Sequence, residues 1–323
     1  MKNLKYSLGL IEKCVSTILK RGVGKKKTVT WNLKTELIWA TTRFTLLSSN
    51  IHGLEWLKRL SNRFNPKSSL VNELIIEEIN NNVGKYLKVE PKDKKYSKNI
   101  IIYFHGGGFV TGSPYAIIEF ISRLAMSSNS KIIIPFYPTA PEKFYPSAHK
   151  FAIEISEFIL KEIETPIYLT GDSAGANLAI TTFKKLTINN RQKIRGCILI
   201  SPWVEPTSTK GTIQSNSKND VANSQYLKNC YDMYINNNNE LDEYPLTLNK
   251  SQLIKLPKTI ITVGTFEMLL DQVKKLDDNL KSLKTETTLI EYDNMFHTFW
   301  NVPAKIREAD KLIDDIASWL DSN

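Results

Sequence analysis

A serine with a glycine two residues to either side, Gly171-Asp172-Ser173-Ala174-Gly175, sits between the apolar run Ile167-Tyr168-Leu169 and the stretch Ala176-Asn177-Leu178-Ala179-Ile180. That placement predicts a serine on a sharp strand-to-helix turn, where a Cβ on either glycine would crowd the nucleophile. Taken alone, the pentapeptide also fits an ordinary Gly/Ser turn. A second signal lies upstream, where the run from Lys98 to Phe104 ends in His105-Gly106-Gly107-Gly108-Phe109. Ester hydrolysis places negative charge on the former carbonyl oxygen, which fixed N–H donors must hold. Gly106 and Gly107, together with Ala174 after the serine, are the expected donors. A phosphate-binding loop is the rival reading of the glycines, but neither a Gly-Lys-Ser/Thr ending nor G-x-G-x-x-G spacing accompanies them.

The chain has four histidines, which makes the search for a base short. His52 lies in the basic leading segment and reads as a surface or packing residue. His149 falls inside a helical pattern and reads as structural, while His105 reads as a support that holds the glycine loop by hydrogen bonds. His297 follows the probable last strand, Thr287 to Tyr292, in the loop Asp293 to Phe299, where it could take the proton of Ser173. For the acid, the segment after strand Thr259 to Val263 offers Glu267 and Asp271. Either residue type can orient an imidazole. The strand-end position favours Glu267, with Asp271 as the alternative or as a brace for the loops that carry the acid or the base.

These residues resemble the hormone-sensitive-lipase-like branch of the α/β-hydrolases, which includes microbial carboxylesterases and fungal steryl acetyl hydrolases. His105 to Gly108 is similar to that branch's HGGG loop, and Gly171 to Asn177 to its GDSAGGN motif. Tyr137-Pro138-Thr139-Ala140-Pro141-Glu142, Ser201-Pro202-Trp203 and Gly264 to Asp271 resemble three further segments, so the likeness spans roughly residues 98–320. It implies Ser173 as nucleophile, His297 as base, Glu267 where most members carry Asp, and Gly106, Gly107 and Ala174 as oxyanion donors. His105, Gly108, Asp172, Asn177 and Asp271 would be supports. Phe136, where the branch usually has Asp, removes one expected polar support near the glycine loop, and Met268 replaces a usual Pro.

The elements that must position these groups are legible as apolar runs. Strands are expected at 84–90, 99–104, 131–136, 167–170, 195–201, 258–263 and 286–292. Helical periodicities cover Ala116 to Met126, Phe144 to Leu160, Ala174 to Leu186, Leu269 to Leu283 and Ile306 to Leu320. Alternation of this kind argues for a mostly parallel central sheet flanked by helices, with function at the carboxyl ends of the strands. The expected organisation is a catalytic α/β-hydrolase domain at 76–202 and 256–323. A mainly helical cap would come from the basic segment 1–75 and an insertion at 203–255, asparagine-rich around Asn236 to Asn239.

At 323 residues with 41% apolar and 24% charged composition, the chain can bury one substantial core. Cys14, Cys197 and Cys230 are too few and too scattered for a disulfide framework or a metal cluster, and the chemistry calls for no cofactor. Asn249-Lys250-Ser251 is an isolated glycosylation sequon. No apolar run reaches the roughly 18 to 20 residues of a bilayer span. The net charge of +10 is concentrated early, at Lys20, Arg21, Lys25, Lys26 and Lys27, beside a stripe of Leu4, Leu8, Ile11, Val15, Ile18 and Leu19. Residues 1–28 thus read as a cap helix packed on its own protein with a solvated charged face, or as a helix resting on an anionic membrane. With Glu12 as their sole acid, they also fit a mitochondrial-type leader. A basic cluster without interleaved aromatics excludes a nucleic-acid reader. The expectation is a cytoplasmic serine esterase, peripheral to an intracellular membrane if the second reading of residues 1–28 holds, acting on small or lipid-like esters, with acetyl esters of sterols or xenobiotics among them. The alternatives are an amidase, formamidase, lactonase or lipase on the same triad, and a non-catalytic receptor on the same fold.

Overall fold

In the computed structural model, which describes residues 2–63, 66–93, 99–162, 165–236 and 246–323, eight strands form one sheet in the order β1-β2-β4-β3-β5-β6-β7-β8. They are β1 (Leu74–Asn80), β2 (Lys85–Pro91), β3 (Asn99–Phe104), β4 (Ser130–Pro135), β5 (Ile167–Asp172), β6 (Ile194–Ile200), β7 (Lys258–Gly264) and β8 (Thr287–Tyr292). The β1–β2 and β2–β4 pairings are antiparallel and the rest are parallel. Every residue of β3 and β5 is buried, as expected of strands covered on both faces. Strand β1 is absent from the expected set. Its polar Glu77 and Glu78 face Lys88 and Lys85 across the edge hairpin, which breaks the apolar run that marks the inner strands. Lys98 and Asn237 to Asn239, which belong to two of the expected segments, lie outside the described residues.

The pleat of β3 divides its side chains between two cores. Ile100, Ile102 and Phe104 pack with α5 (Ser147–Glu162), α6 (Ala174–Lys185) and α10 (Leu270–Ser282). Ile101 and Tyr103 pack with α4 (Ile118–Ser128) and α11 (Arg307–Asp321) on the opposite face. Three N-terminal helices, α1 (Lys2–Gly22), α2 (Leu33–His52) and α3 (Leu54–Arg63), precede the sheet. Asn32 caps α2 by accepting from Thr35 N–H, and Gly53 ends it at φ 86°. After β5 comes the short α7 (Ile188–Gln192), and after β6 come α8 (Thr212–Ser215) and α9 (Ser224–Ile235). Parts of α2, α3 and α9 hang over the carboxyl ends of the strands, where Leu46, Ser61, Tyr226 and Leu227 wall a cavity.

Candidate active site

Ser173 is the single residue between β5 and α6, at φ 53° and ψ −118°. A side chain at positive φ outside glycine is strained by about 1–3 kcal/mol and needs fixing from outside. Ser173 N–H donates to Ile200 O at 2.9 Å, and Trp203 N–H donates to Ser173 O at 3.1 Å. The flanking glycines are required by contact. A Cβ on Gly171 would lie 2.3 Å from the Gly175 backbone, and one on Gly175 would lie 1.9 Å from Phe104 O. The turn therefore points the serine into the cavity while its neighbours pack against β3.

The expected acid and base, Glu267 and His297, follow the ends of β7 and β8. Glu267 is fully buried, with Oε2 2.7 Å from His297 Nδ1. Its Oε1 accepts from Gly264 N–H at 2.6 Å and from Ser201 Oγ–H at 2.7 Å. These bonds leave the carboxylate little freedom and direct one oxygen at the imidazole. Burial alone would lower the His297 pKa, but the charge and hydrogen bond of Glu267, with the charges of Asp220 and Asp172, raise it above its ordinary value. With Nδ1 bound to Glu267, Nε2 is the nitrogen left to face the serine, and His297 and Ser173 line one cavity. Ser173 Oγ makes no hydrogen bond among the described residues, a looseness common in unliganded sites. Asp271 lies elsewhere. Its Oδ2 accepts from Thr212 N–H at 2.8 Å at the start of α8.

In the glycine loop, one expected donor is already engaged. Gly106 N–H donates to Asp172 Oδ1 at 2.8 Å, so it is not free for an oxyanion, contrary to the sequence expectation. The N–H groups of Gly107, Gly108 and Ala174 have no acceptor among the described residues. Gly107 and Gly108 sit at φ 121° and 63°, and a Cβ on Gly107 would fall 2.0 Å from Thr111 O. Asp172 also accepts from Tyr103 O–H at 2.8 Å. Burial pushes its carboxyl up to about 6, with the two hydrogen bonds opposing. His105 lies 2.7 Å through Nδ1 from Gly106 O and stacks on Tyr137, whose hydroxyl donates to His105 O at 2.6 Å. Burial holds the His105 pKa down at about 4, so the ring is a neutral strut near neutral pH. Phe136 instead carries the Lys85 ammonium 4.5 Å from its ring centroid.

Two polar groups brace the floor and wall. Asn177 Nδ2 donates to Trp203 O and Leu246 O, tying α6 to the chain after β6. His149, 3.3 Å from Asn177 Oδ1 through Nε2 and 3.0 Å from Tyr234 O–H through Nδ1, is buried, with its pKa lowered to about 4. The His52 ring lies tilted against Trp56 at 5.0 Å between centroids and is not among the residues that line the cavity. Sequence reasoning missed Asp220. Its Oδ1 accepts from His297 N–H at 2.8 Å and Val221 N–H at 2.7 Å, and its Oδ2 from Met268 N–H at 2.8 Å. One buried carboxylate thus joins the backbone of His297 to the backbone beside Glu267. Burial pushes its own pKa up to about 6, against the favourable charge of His297.

The cavity lined by Ser173 and His297 has a volume of about 200 Å3 and includes Trp203, Tyr226 and Leu227 in its wall. A second cavity of about 660 Å3 shares Leu46, Ser61, Thr111, Ala116, Thr298 and Asn301 with it and extends beneath α1 and α2. Among the described residues, no group of three or more His, Cys, Asp or Glu could hold a metal ion.

A family described as the alpha/beta hydrolase fold matches residues 101–301. An esterase of Acinetobacter venetianus is 28% identical over 236 residues, covering 72% of this chain and 78% of that one. An acetyl-hydrolase of Streptomyces hygroscopicus is 26% identical over 208 residues, covering 63% and 69%. Among solved structures, an esterase from the bacterial hormone-sensitive lipase family superposes with a TM-score of 0.72 at 19% identity, across 97% of this chain and 98% of that one.

Proposed function

Because this chain belongs to the α/β-hydrolase-fold family, we propose that it is a carboxylesterase of the hormone-sensitive-lipase-like branch, working through Ser173, His297 and Glu267 by way of an acyl-enzyme. The observation that carries this reading is the 2.7 Å contact between Glu267 and His297 on the cavity into which the strained turn presents Ser173. Ser173 Oγ attacks the ester carbonyl while His297 Nε2 takes its proton, and Glu267 stabilises the imidazolium. The N–H groups of Gly107, Gly108 and Ala174 hold the oxyanion, each worth about 3 kcal/mol in a comparable site. Collapse of the tetrahedral intermediate returns the proton to the departing alcohol. Water then attacks the acyl-serine, giving its proton to His297, and the acid leaves.

The small cavity next to Ser173 suits a short acyl group, and the larger one joined to it suits a bulky apolar alcohol. With an acetyl-hydrolase among the relatives, this favours acetyl esters of large apolar alcohols, sterols or xenobiotics among them. The N-terminal helices and the segment after β6 act as the cap in this reading, since both wall the cavity. The test measures hydrolysis of p-nitrophenyl acetate, butyrate and octanoate and of a sterol acetate, with organophosphate titration of active sites. Acetate should be the best nitrophenyl ester, and Ser173→Ala should lose at least about 10⁴-fold in kcat. Equal rates for the two proteins, with no burst, would reject the esterase.

A further inference from the structure

Helix α1 turns its apolar stripe away from the protein. Leu4, Leu8, Ile11, Val15, Ile18 and Leu19 are between 47% and 66% exposed. The opposite face holds the helix in place. Tyr6 O–H lies 2.8 Å from Thr45 Oγ1, and the Tyr6 ring packs on Phe44 and edge-on to Trp56. Gly9 lets α1 approach α2 so closely that a Cβ there would lie 2.6 Å from Phe44 Cζ. Helix α1 thus packs on its own protein and leaves its lysines solvated, as the cap-helix reading has it, but its apolar stripe is left facing out with them. The protein takes the Tyr6–Gly9–Leu10–Thr17 side, and an apolar patch of several hundred Å2 in order of magnitude is left facing out, which soluble monomers rarely leave uncovered.

Charge indicates what covers it. Residues 1–28 contain eight Lys or Arg against the single acid Glu12. Lys5, Lys20, Lys25 and Lys26 are exposed and form no salt bridge among the described residues. Two copies of this chain meeting through the stripe would bring these cations together, whereas an anionic lipid surface complements both the apolar and the basic parts. The same helix also reaches the chemistry. Tyr6 and Leu10 on its inner side line the 660 Å3 cavity that joins the cavity of Ser173.

We propose that α1 lies in the headgroup region of an anionic membrane, stripe inward to the lipid, and that the cavity behind it takes an ester-bearing apolar molecule from the bilayer to Ser173. This rests on the esterase reading for the second half only. No helix among the described residues is long and apolar enough to cross a membrane, so the contact is interfacial.

The test is flotation of the full chain with phosphatidylcholine vesicles, alone or mixed with phosphatidylglycerol, beside Leu8→Glu/Ile11→Glu and Lys20→Gln/Lys25→Gln/Lys26→Gln. Wild type should float with the mixed vesicles and not with phosphatidylcholine alone. The lysine variant should lose about fivefold in partitioning per residue, and the double-glutamate variant at least about tenfold. Both should keep wild-type turnover of dissolved p-nitrophenyl acetate while losing turnover of a long-chain acetate embedded in the vesicles. Failure of wild type to float, or undiminished floating of Leu8→Glu/Ile11→Glu, overturns the proposal. So does a dimer in sedimentation velocity that this double variant abolishes while no vesicles are bound, which would assign the stripe to a second copy. Intact, stripe-dependent flotation with no turnover of the dissolved ester would reject the esterase and leave the membrane surface standing.

Discussion

Replacing Asp220 by asparagine isolates the role of a carboxylate that touches no substrate yet joins the two loops of the acid and the base. The wild-type group accepts three backbone N–H bonds, two on Oδ1 from His297 and Val221 and one on Oδ2 from Met268. An asparagine of the same shape keeps the pair on its oxygen and turns its NH2 toward Met268, because the reverse orientation would orphan two donors. Met268 N–H, in the residue after Glu267, then faces another donor. A buried unsatisfied N–H costs about 1–3 kcal/mol, and the two remaining bonds lose their charge assistance. Against this, burial pushes the Asp220 carboxyl up to about 6 from an unfolded value near 3.9, so at pH 8, where the group is ionised in both states, its charge disfavours the folded state by an amount on the order of 3 kcal/mol that asparagine escapes. The opposing effects are of similar size, and the thermal midpoint of Asp220→Asn should stay within a few degrees of wild type. Activity should not be spared. A loosened acid loop misplaces Glu267 against His297, and a shift approaching 1 Å in a catalytic group costs on the order of 10²-fold, so kcat should fall about 10- to 100-fold with KM little changed. The charge of Asp220 also raises the His297 pKa, so in the variant the acidic limb of kcat/KM should move to lower pH. Stopped assays across the pH range, with denaturation scans on the same samples, measure all three quantities. Wild-type kcat with an unmoved acidic limb would refute the positioning role, as would a kcat loss that merely follows a loss of folded protein.

The acid assignment separates cleanly in a pair of variants. Glu267→Gln should lose at least about 10²-fold in kcat, since it removes the charge that stabilises imidazolium, while Asp271→Asn, which changes only the contact with Thr212, should stay within about threefold; the reverse order would displace Glu267. Asp172 has a folded pKa of about 6, above the unfolded value near 3.9, so the native state holds the extra proton and stability falls as pH rises from about 4 through 6. Asp172→Asn keeps an oxygen for Tyr103 and Gly106 and escapes that fall, so its midpoint relative to wild type should rise between pH 4.5 and pH 8 in calorimetry; a difference that is flat or declining over that range would contradict the burial argument.

What could be read from the sequence was what neighbours in the chain determine. Ser173 follows β5, a strand buried on both faces and so a continuous signal that ends where the chemistry begins, whereas His297 follows the half-exposed edge strand β8 and stood out because the chain has only four histidines. Glu267 was separable from Asp271 only in part, by its place nearer the end of the strand. The helix starts at Leu270, leaving Glu267 in the turn after β7 and Asp271 on the helix. The glycine loop showed which residues could offer N–H groups but not which were taken. The aspartate that engages Gly106 lies 66 residues away, and the one clue to it was its place beside Ser173. Nothing local marks Asp220, whose partners Met268 and His297 are 48 and 77 residues distant in the chain.

That distance is also why the segment between β6 and β7 cannot be treated as a mere cover. Arg43 of α2 donates to the carbonyl oxygens of Asp220 and Ala222, and Trp39 Nε1–H donates to Asn219 O. Asn216 Nδ2 holds the carbonyls of Thr265 and Glu267. Helix α2 thereby grips a loop whose side chains grip both the acid and the base, and α1 is packed on α2 through Tyr6 and Gly9. The elements that wall the cavity are continuous, bond by bond, with those that set the Glu267–His297 geometry. A change that shifts α2 to admit a larger alcohol must therefore either leave residues 216–222 in place or move the triad with them. On α2 the large cavity is lined by Ile38, Thr41, Thr42 and Thr45, while Trp39 and Arg43 are the residues that bond the Asp220 loop, so side chains on the cavity side can change without touching those bonds.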